Sequence, residues 1–231
     1  MVASTPAGDF LPFQQVWGGK VAKSLPSKEA DGMAEALKHG FVFSTAASTT
    51  SPRSHFTTLK SMIEYVDGIV VPFIDRVVKE DNLPTDQKFI LLIDVYPVHA
   101  GEEFRDYIHV KHPRCILIFI PGNCTGKFQP ADVGLQRPVK HRLKQAQFQY
   151  LVSEQKKQLE KGITAEKVKF STSIVVLRDA SVRGCVETYD LMCSDNGRKM
   201  VKCKATSKMR AYQATQRLGR SSNTKTKEYR D

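Results

Sequence analysis

Two short apolar runs separated by a polar segment constrain the fold of this chain more than any other feature. Residues 88–93 are nearly all apolar and lead into Asp94, and Cys115–Ile120 forms a second run that a Pro-Gly pair ends. The intervening residues 102–111 have the composition of a helix. Strand, helix, strand at this spacing predicts a βαβ unit with parallel strands, a right-handed crossover and strands buried on both faces. The fold class is therefore α/β.

The remaining elements follow from hydrophobic periodicity and turn residues. They are a strand within 9–22, a polar surface loop over 44–55, an amphipathic helix over 59–78, and helices from 129 to about 161 and from 163 to 189. Pro72 falls inside the amphipathic helix and should kink or divide it, and Pro138 should break or restart a later one. Beyond residue 192 no periodicity is visible.

Basic charge is concentrated at one end of the chain. The 231 residues carry a net charge of +11, and residues 191–231 hold eleven Lys and Arg against three acidic residues. The other residues are close to neutral. A basic tail on a nearly neutral body indicates attraction to polyanions, with nucleic acid the first candidate. A solvated, disordered extension is the alternative interpretation.

Composition excludes several classes of protein. No apolar run approaches the roughly 18 residues that a membrane-spanning helix needs, and the first residues lack the pattern of a secretory signal. The five cysteines form no close pair, which favours reduced thiols in an intracellular compartment. No Cys or His spacing typical of a zinc site occurs.

Two acidic residues are placed where catalytic groups of α/β proteins gather. Asp94 directly follows the first apolar run, and Asp132 lies in the first turn of a predicted helix after the second. Read singly, the first is an ordinary cap for the next helix and the second an ordinary acid at a helix N-terminus. Adjacent parallel strands, however, bring their carboxyl ends to one edge of a sheet. We expect the two carboxylates to lie within about 8 Å of each other, as shared metal binding requires.

Paired carboxylates with open coordination positions suit Mg²⁺ or Mn²⁺ and hence phosphoryl transfer. A third carboxylate is normally needed to hold two ions. A small-molecule phosphotransferase would use the same acid at the strand end, but the sequence has no glycine-rich phosphate loop of the GxxxxGK[ST] type.

Four basic residues share one face of the helix that begins near Asp132. Arg137, Lys140, His141 and Lys144 follow helical spacing, whereas Leu135, Val139 and Leu143 lie elsewhere around the helix and can pack inward. A basic face beside a metal site would hold a phosphate backbone. A solvated helix face is the alternative.

Two segments resemble the DDE superfamily endonucleases, the catalytic domains of pogo- and jerky-like transposases. The first is Ile-Leu-Leu-Ile-Asp-Val-Tyr-Pro-Val-His over 90–99, which is similar to the strand that carries the second acid of that family. The second is Pro-Gly-Asn-Cys-Thr-Gly-Lys-Phe-Gln-Pro-Ala-Asp-Val-Gly over 121–134, which is similar to the segment around the third acid. The likeness covers roughly residues 8–183.

The resemblance implies an RNase H-like mixed sheet flanked by helices, a divalent cation, a DNA substrate and a nuclear location. Asp94 and Asp132 would be the second and third metal ligands, and His99 a neighbour of uncertain role. In this family the first acid lies on the central strand, upstream of a hairpin that corresponds here to residues 1–20. That strand and that acid are expected to be missing, and Asp9 matches no catalytic position.

These inferences predict three regions and leave two functions open. Residues 1–145 would form a partial endonuclease domain, 146–190 its helical extension, and 191–231 a basic, disordered tail. The chain would act on DNA or bind it through a metal–carboxylate site, with cleavage impaired by the missing acid. Alternatively it is a non-catalytic nucleic-acid-binding fragment that uses the basic helix face and the tail. A homo-oligomer is compatible with either function.

Overall fold

The computed structural model describes residues 1–46, 56–122 and 135–203, and these contain both helices and parallel strands. In chain order the strands are β1 Gln14–Gly18, β2 Val42–Ala46, β3 Phe89–Asp94 and β4 Cys115–Ile120. The helices are α1 Met33–Lys38, α2 Leu59–Tyr65, α3 Val71–Glu80, α4 Pro97–Ala100, α5 Glu102–Lys111, α6 Gln136–Glu160 and α7 Ile174–Cys193. A π-helical turn, Val66–Val70, joins α2 to α3. The predicted α/β class is confirmed.

The strand–helix–strand unit predicted from the two apolar runs is present. β3 pairs with β4 in parallel, with Phe89 opposite Cys115 and Asp94 opposite Ile120. The helices α4 and α5 form the connection between the two strands, and α5 covers the residues expected from the sequence. Because the strands are parallel and in this register, both end at the same edge of the sheet.

The prediction that these strands are buried on both faces is wrong for their first halves. Ile90 is 58% exposed and Ile116 is 43% exposed. The alternate residues Phe89, Leu117 and Phe119 pack into a core with α2, α3 and α5. The described helices therefore cover one face of the strand pair near its start, whereas Ile120 at the end of β4 is fully buried.

The first two strands form a separate parallel pair, with Gln14 opposite Val42 and Gly18 opposite Ala46. β2 was not predicted, because its Ser-Thr-Ala end resembles a loop. Ser44 of β2 is buried, and its hydroxyl is satisfied there by Gln14. The Nε2 of Gln14 donates to Ser44 Oγ at 2.8 Å and to the carbonyl of Ser61 at 2.8 Å. A buried hydroxyl with a hydrogen-bond partner is tolerated inside a sheet.

The first residues of the chain form the outer arm of a hairpin and run antiparallel to the segment that leads into β1. Ser4 forms an antiparallel bridge with Phe10, and the amide of Leu11 donates to the carbonyl of Ala3 at 3.0 Å. The turn between the arms has Gly8 at φ 109°, a conformation that favours glycine. A short hairpin therefore lies before β1, which continues from it into a parallel pair.

A π-helical turn accommodates Pro72 within the amphipathic helix. Pro72 lacks the N–H that would close a regular helical bond, and it lies in the first turn of α3. The preceding Val71 amide donates to the carbonyl of Val66, five residues back. The predicted disruption is thus a widened turn, and Gly68 within it packs against Val42 of β2.

The long helices α6 and α7 pack against each other, and together with β1 they line a cavity. α6 is continuous from Gln136 to Glu160, so of the two alternatives predicted at Pro138 a break is wrong, whereas a helix start is observed two residues before the proline. Pro138 is the third residue of the helix, where its missing N–H has no helical acceptor to leave unsatisfied. The predicted helical region after residue 163 begins at Ile174, following a short 3₁₀ turn, Ala165–Lys167.

Part of the predicted tail is helical and packed. Residues 195–203 form a further helix, α8, in which Val201 is completely buried. The expectation of disorder is therefore wrong for this part, because its apolar residues reach a core that the sequence pattern did not reveal. The remainder of the predicted tail lies outside the described residues.

Two apolar cores hold the molecule together. One surrounds α2, the π turn, α5 and the inner face of β3–β4 and includes Ile69, Phe104 and Ile108. The other joins the hairpin and α1 to the C-terminal helices through Phe13, Phe41, Val139, Val186 and Val201. Within the described part of the chain, no helix combines the length and apolarity that crossing a bilayer demands.

Candidate metal and nucleic-acid site

Asp94 lies at the carboxyl end of β3, as the sequence predicted. Its side chain is 33% exposed and therefore reaches solvent. The strand places it opposite Ile120, the last residue of β4. The chain that follows β4 starts at the same edge, and a Cβ placed on Gly122 would lie 3.7 Å from Cγ2 of Val95.

His99 orients the carboxylate of Asp94. Its Nδ1 lies 2.6 Å from Asp94 Oδ1, and the ring is only 13% exposed. The amide of Tyr96 approaches the same oxygen at 3.4 Å. Among the described residues, both of these contacts fall on Oδ1, and they hold the carboxylate in one orientation.

The short helix α4 and its neighbours hold His99 in place. α4 begins with Pro97, whose restricted φ suits the first helical position, and it ends before Gly101. The imidazole packs between the rings of Tyr96, at 5.4 Å between centroids, and Phe104, at 6.3 Å. Its Nε2 is buried and has no hydrogen-bond partner among the described residues.

The second predicted metal ligand, Asp132, lies outside the described residues. It follows Ile120 by twelve positions, in the segment between β4 and α6. The expected carboxylate separation of about 8 Å therefore stays a prediction.

The four predicted nucleic-acid-binding residues share an exposed helix face. Arg137, Lys140, His141 and Lys144 are all exposed on the first half of α6. Leu135 and Val139 are buried in the second core, and Leu143 packs against it. The inward and outward sides of this helix are as the spacing predicted, and the exposed side carries basic groups available to a polyanion.

The described side chains at this edge of the sheet provide only some of the ligands that a divalent ion needs. Asp94 offers an oriented, partly exposed carboxylate, which is the ligand type that Mg²⁺ and Mn²⁺ prefer. In the described ranges no group of three or more His, Cys, Asp or Glu side chains is close enough to hold an ion. A metal site here therefore depends on a further carboxylate, such as Asp132.

A second group of polar side chains was not predicted. Tyr107 Oη donates to Asp67 Oδ2 at 2.7 Å, and His112 Nε2 lies 2.8 Å from Oδ1 of the same residue. The hydrogen bond to Asp67 raises the pKa of Tyr107. These contacts join the π turn to the end of α5. Because the partners are 40 and 45 residues apart, no local sequence pattern reveals them.

Sequence reasoning also missed a cavity of about 390 Å³ between β1, α6 and α7. Trp17, the sole tryptophan of the chain, contributes to its wall. An aromatic residue in a strand is an ordinary core residue on pattern alone, so the sequence carries no signal for this cavity.

A comparison with protein-family models identifies the chain. The model of the DDE superfamily endonucleases matches residues 50–183, more than half of the sequence. The chain belongs to the DDE superfamily endonuclease family. The match spans both segments on which the resemblance rested, 90–99 and 121–134, and it also includes the basic face of α6. Searches of curated proteins and of solved structures find no match.

Proposed function

We propose that this DDE endonuclease domain binds DNA and holds one Mg²⁺ or Mn²⁺ ion between Asp94 and Asp132. The observation that carries the proposal is the parallel register of β3 and β4, which brings Asp94 and the chain leading to Asp132 to one edge. The contact from His99 supports it, because a metal ligand needs a fixed orientation. When bound, such an ion activates the attacking oxygen or stabilises the leaving one in phosphoryl transfer.

We infer that the two small sheets are parts of one RNase H-like arrangement. The βαβ unit of β3, α5 and β4 and the hairpin before β1 are both consistent with that architecture. Among the 231 residues, nothing matches the strand that carries the first acid of the family.

Cleavage by this chain should be impaired. Two carboxylates typically hold one ion weakly, because the repulsion between them is relieved by a single cation. A second ion would have no third acid from these residues. The alternative, a purely nucleic-acid-binding role, uses the same basic face and predicts the same DNA affinity without any dependence on metal.

DNA would be held by Arg137, Lys140, His141 and Lys144, whose side chains are exposed along the first half of α6. The basic residues of 191–231 would add attraction that depends on salt. The family resemblance adds a nuclear location to this proposal, with two copies of the chain acting together on one DNA.

Mn²⁺ binding tests the metal site directly. We expect the chain to bind one Mn²⁺ weakly in an electron paramagnetic resonance titration, and Asp94→Ala or Asp132→Ala to abolish binding. Asp86→Ala, which changes an exposed acid elsewhere, is the control. Unchanged Mn²⁺ affinity in both variants would contradict the metal site.

DNA binding and cleavage are measured on the same protein. Replacing Lys140 and Lys144 by alanine should weaken duplex binding, whereas the exposed pair Lys38 and Lys60 serves as a charge-matched control. With Mg²⁺ or Mn²⁺ we expect little nicking of plasmid DNA. Efficient nicking that Asp94→Ala abolishes would show that the domain is an active nuclease.

A further inference from the structure

The cavity between β1, α6 and α7 has the size and lining of a binding site for a neutral, flat ligand. Its volume of about 390 Å³ lies within the usual range for ligand pockets. Apolar walls come from both helices and the strand, and none of the described lining residues is Asp, Glu, Lys or Arg. The lining includes Gln15, Trp17, Leu143, Gln147, Leu177 and Ser181.

One polar atom in the wall of this cavity is incompletely satisfied. Trp17 Nε1 donates to Gln15 Oε1 at 3.1 Å, which fixes the indole and the amide together. Gln15 Nε2 is then buried without a hydrogen bond to any described nitrogen or oxygen. The thiol of Cys185 is close enough that its interaction with the Gln15 amide lowers the pKa of the thiol, but burial is the larger effect and raises that pKa to about 11. A neutral thiol is only a weak acceptor, so the amide is incompletely satisfied. A buried donor without a good partner is costly, and a ligand acceptor would satisfy it.

The cavity lies beside the basic face of α6. Lys140 and Gln147 are seven residues apart, so they follow the same line along the helix, and Gln147 is part of the cavity wall. Lys144 is one turn from Gln147 on the same side. A neighbouring cavity of about 330 Å³, across Ala146 and Gly184, is lined instead by charged groups that include Asp31 and Glu187. The neutral cavity is therefore the one suited to an uncharged group attached to a phosphate chain.

We propose that this cavity binds a single unpaired nucleobase of a DNA held on the basic face of α6. A nucleobase is neutral and planar and carries acceptors for Gln15 and donors or acceptors for Gln147, and the indole of Trp17 offers a surface for stacking. The proposal rests on the proposed DNA binding and adds to it the form of DNA that is recognised. It assigns Trp17, Gln15 and Gln147 to base contacts and Lys140 and Lys144 to phosphates.

Trp17 is the only tryptophan, so its fluorescence reports occupancy of the cavity. The probes are a DNA duplex with one bulged adenine and the same duplex with an abasic residue at the bulge. We expect the bulged adenine to quench Trp17 and to bind about tenfold more tightly than the abasic duplex. Equal affinities with unchanged Trp17 emission would overturn the proposal.

Two substitutions test whether the base binds in the cavity. Ala180→Leu places extra carbon atoms in the cavity and should remove both the quenching and the tenfold preference, while affinity for the abasic duplex stays unchanged. Ala165→Leu adds the same atoms at an exposed 3₁₀ turn and should change neither. If Ala180→Leu keeps the preference, the base binds elsewhere and the cavity assignment fails.

Free adenosine separates this proposal from DNA binding by α6. Saturable quenching of Trp17 by adenosine, lost in Ala180→Leu, would support the cavity even if neither duplex bound. Failure of both duplexes to bind would contradict the proposed DNA binding. Absence of quenching by both adenosine and the bulged duplex would overturn the base site.

Discussion

At the scale of single residues, the position of one imidazole decides how Asp94 is presented. His99 follows Asp94 by five residues, and the intervening Pro97 starts a helical turn that brings the ring back to the carboxylate. Such supporting contacts typically change metal affinity by about 10- to 100-fold when removed. The resemblance leaves the role of His99 open, and the structure shows its contact with the carboxylate of Asp94.

His99→Ala should weaken Mn²⁺ binding by about tenfold, because the carboxylate of Asp94 would lose its fixed plane. His99→Asn should restore most of the affinity, since its amide can donate from nearly the same position as Nδ1. The measurement is the Mn²⁺ titration by electron paramagnetic resonance. Equal affinities for the wild type and His99→Ala would show that the contact is not needed for orientation.

Arg183 is the residue whose removal should change the acid response of the fold. Its guanidinium donates to Asp31 Oδ1 at 2.7 Å and to Glu35 Oε2 at 2.6 Å. These hydrogen bonds lower the pKa of both carboxyls. A lowered pKa in the folded state means stability that is present above about pH 4 and is lost on further acidification.

Arg183→Met should therefore have a lower free energy of unfolding than the wild type at pH 6. This gap in unfolding free energy should be smaller at pH 3. Urea denaturation at the two pH values measures the gap. Arg76→Met removes an exposed arginine that lies 3.9 Å from Glu80 and is the matched control. A gap of the same size at both pH values would assign the effect of Arg183 to packing alone.

At the scale of elements, the best predicted parts are those whose signal is local. α5 and β4 have the expected bounds, because helical composition and a continuous apolar run are properties of the segment itself. β2 and α8 were missed because their burial depends on distant partners, such as Gln14 for Ser44. At the candidate site the sequence predicts Asp94 and the basic face, whereas the cavity at Trp17 arises only when three elements meet.

α8 also explains a constraint on the N-terminal turn. A Cβ on Gly8 would lie 2.8 Å from the carbonyl oxygen of Arg198, and Gly8 has φ +109°. Gly162 has a similar φ of +82° but nothing within 4 Å of such a Cβ. A substitution at Gly162 therefore tests backbone strain alone, whereas one at Gly8 tests backbone strain together with contact with α8.

Gly162→Ala should cost about 1 kcal/mol through backbone strain alone. Gly8→Ala should cost about 1–2 kcal/mol more, since α8 must move away from the turn. Chemical denaturation of the two variants provides the comparison. Equal losses would show that α8 does not pack on the turn in solution.

At the scale of the whole molecule, about half of the net positive charge lies in a short C-terminal region. Residues 204–231 hold eight of the Lys and Arg residues and two acids. DNA affinity that depends on these residues should vary with salt, because each neutralised phosphate releases counterions.

Deleting residues 204–231 should weaken duplex DNA binding and reduce its salt dependence while α8 and the folded body are retained. The slope of log affinity against log salt should become shallower by several units, at roughly 0.9 per lost phosphate contact. Fluorescence anisotropy at several salt concentrations measures it. An unchanged slope would leave the face of α6 as the main phosphate contact.

The widened turn at Val66–Val70 gives this part of the chain a tolerance in length. It contains one residue more per turn than its helical neighbours, so losing a single residue there would keep both flanks in phase, although Pro72 would then have to be accommodated by a kink instead of the widened turn. Losing a residue between Phe73 and Val78 instead would rotate the following side chains by about 100° and remove Val78 from its buried position. Length variation among related proteins should therefore concentrate at the turn and avoid α3.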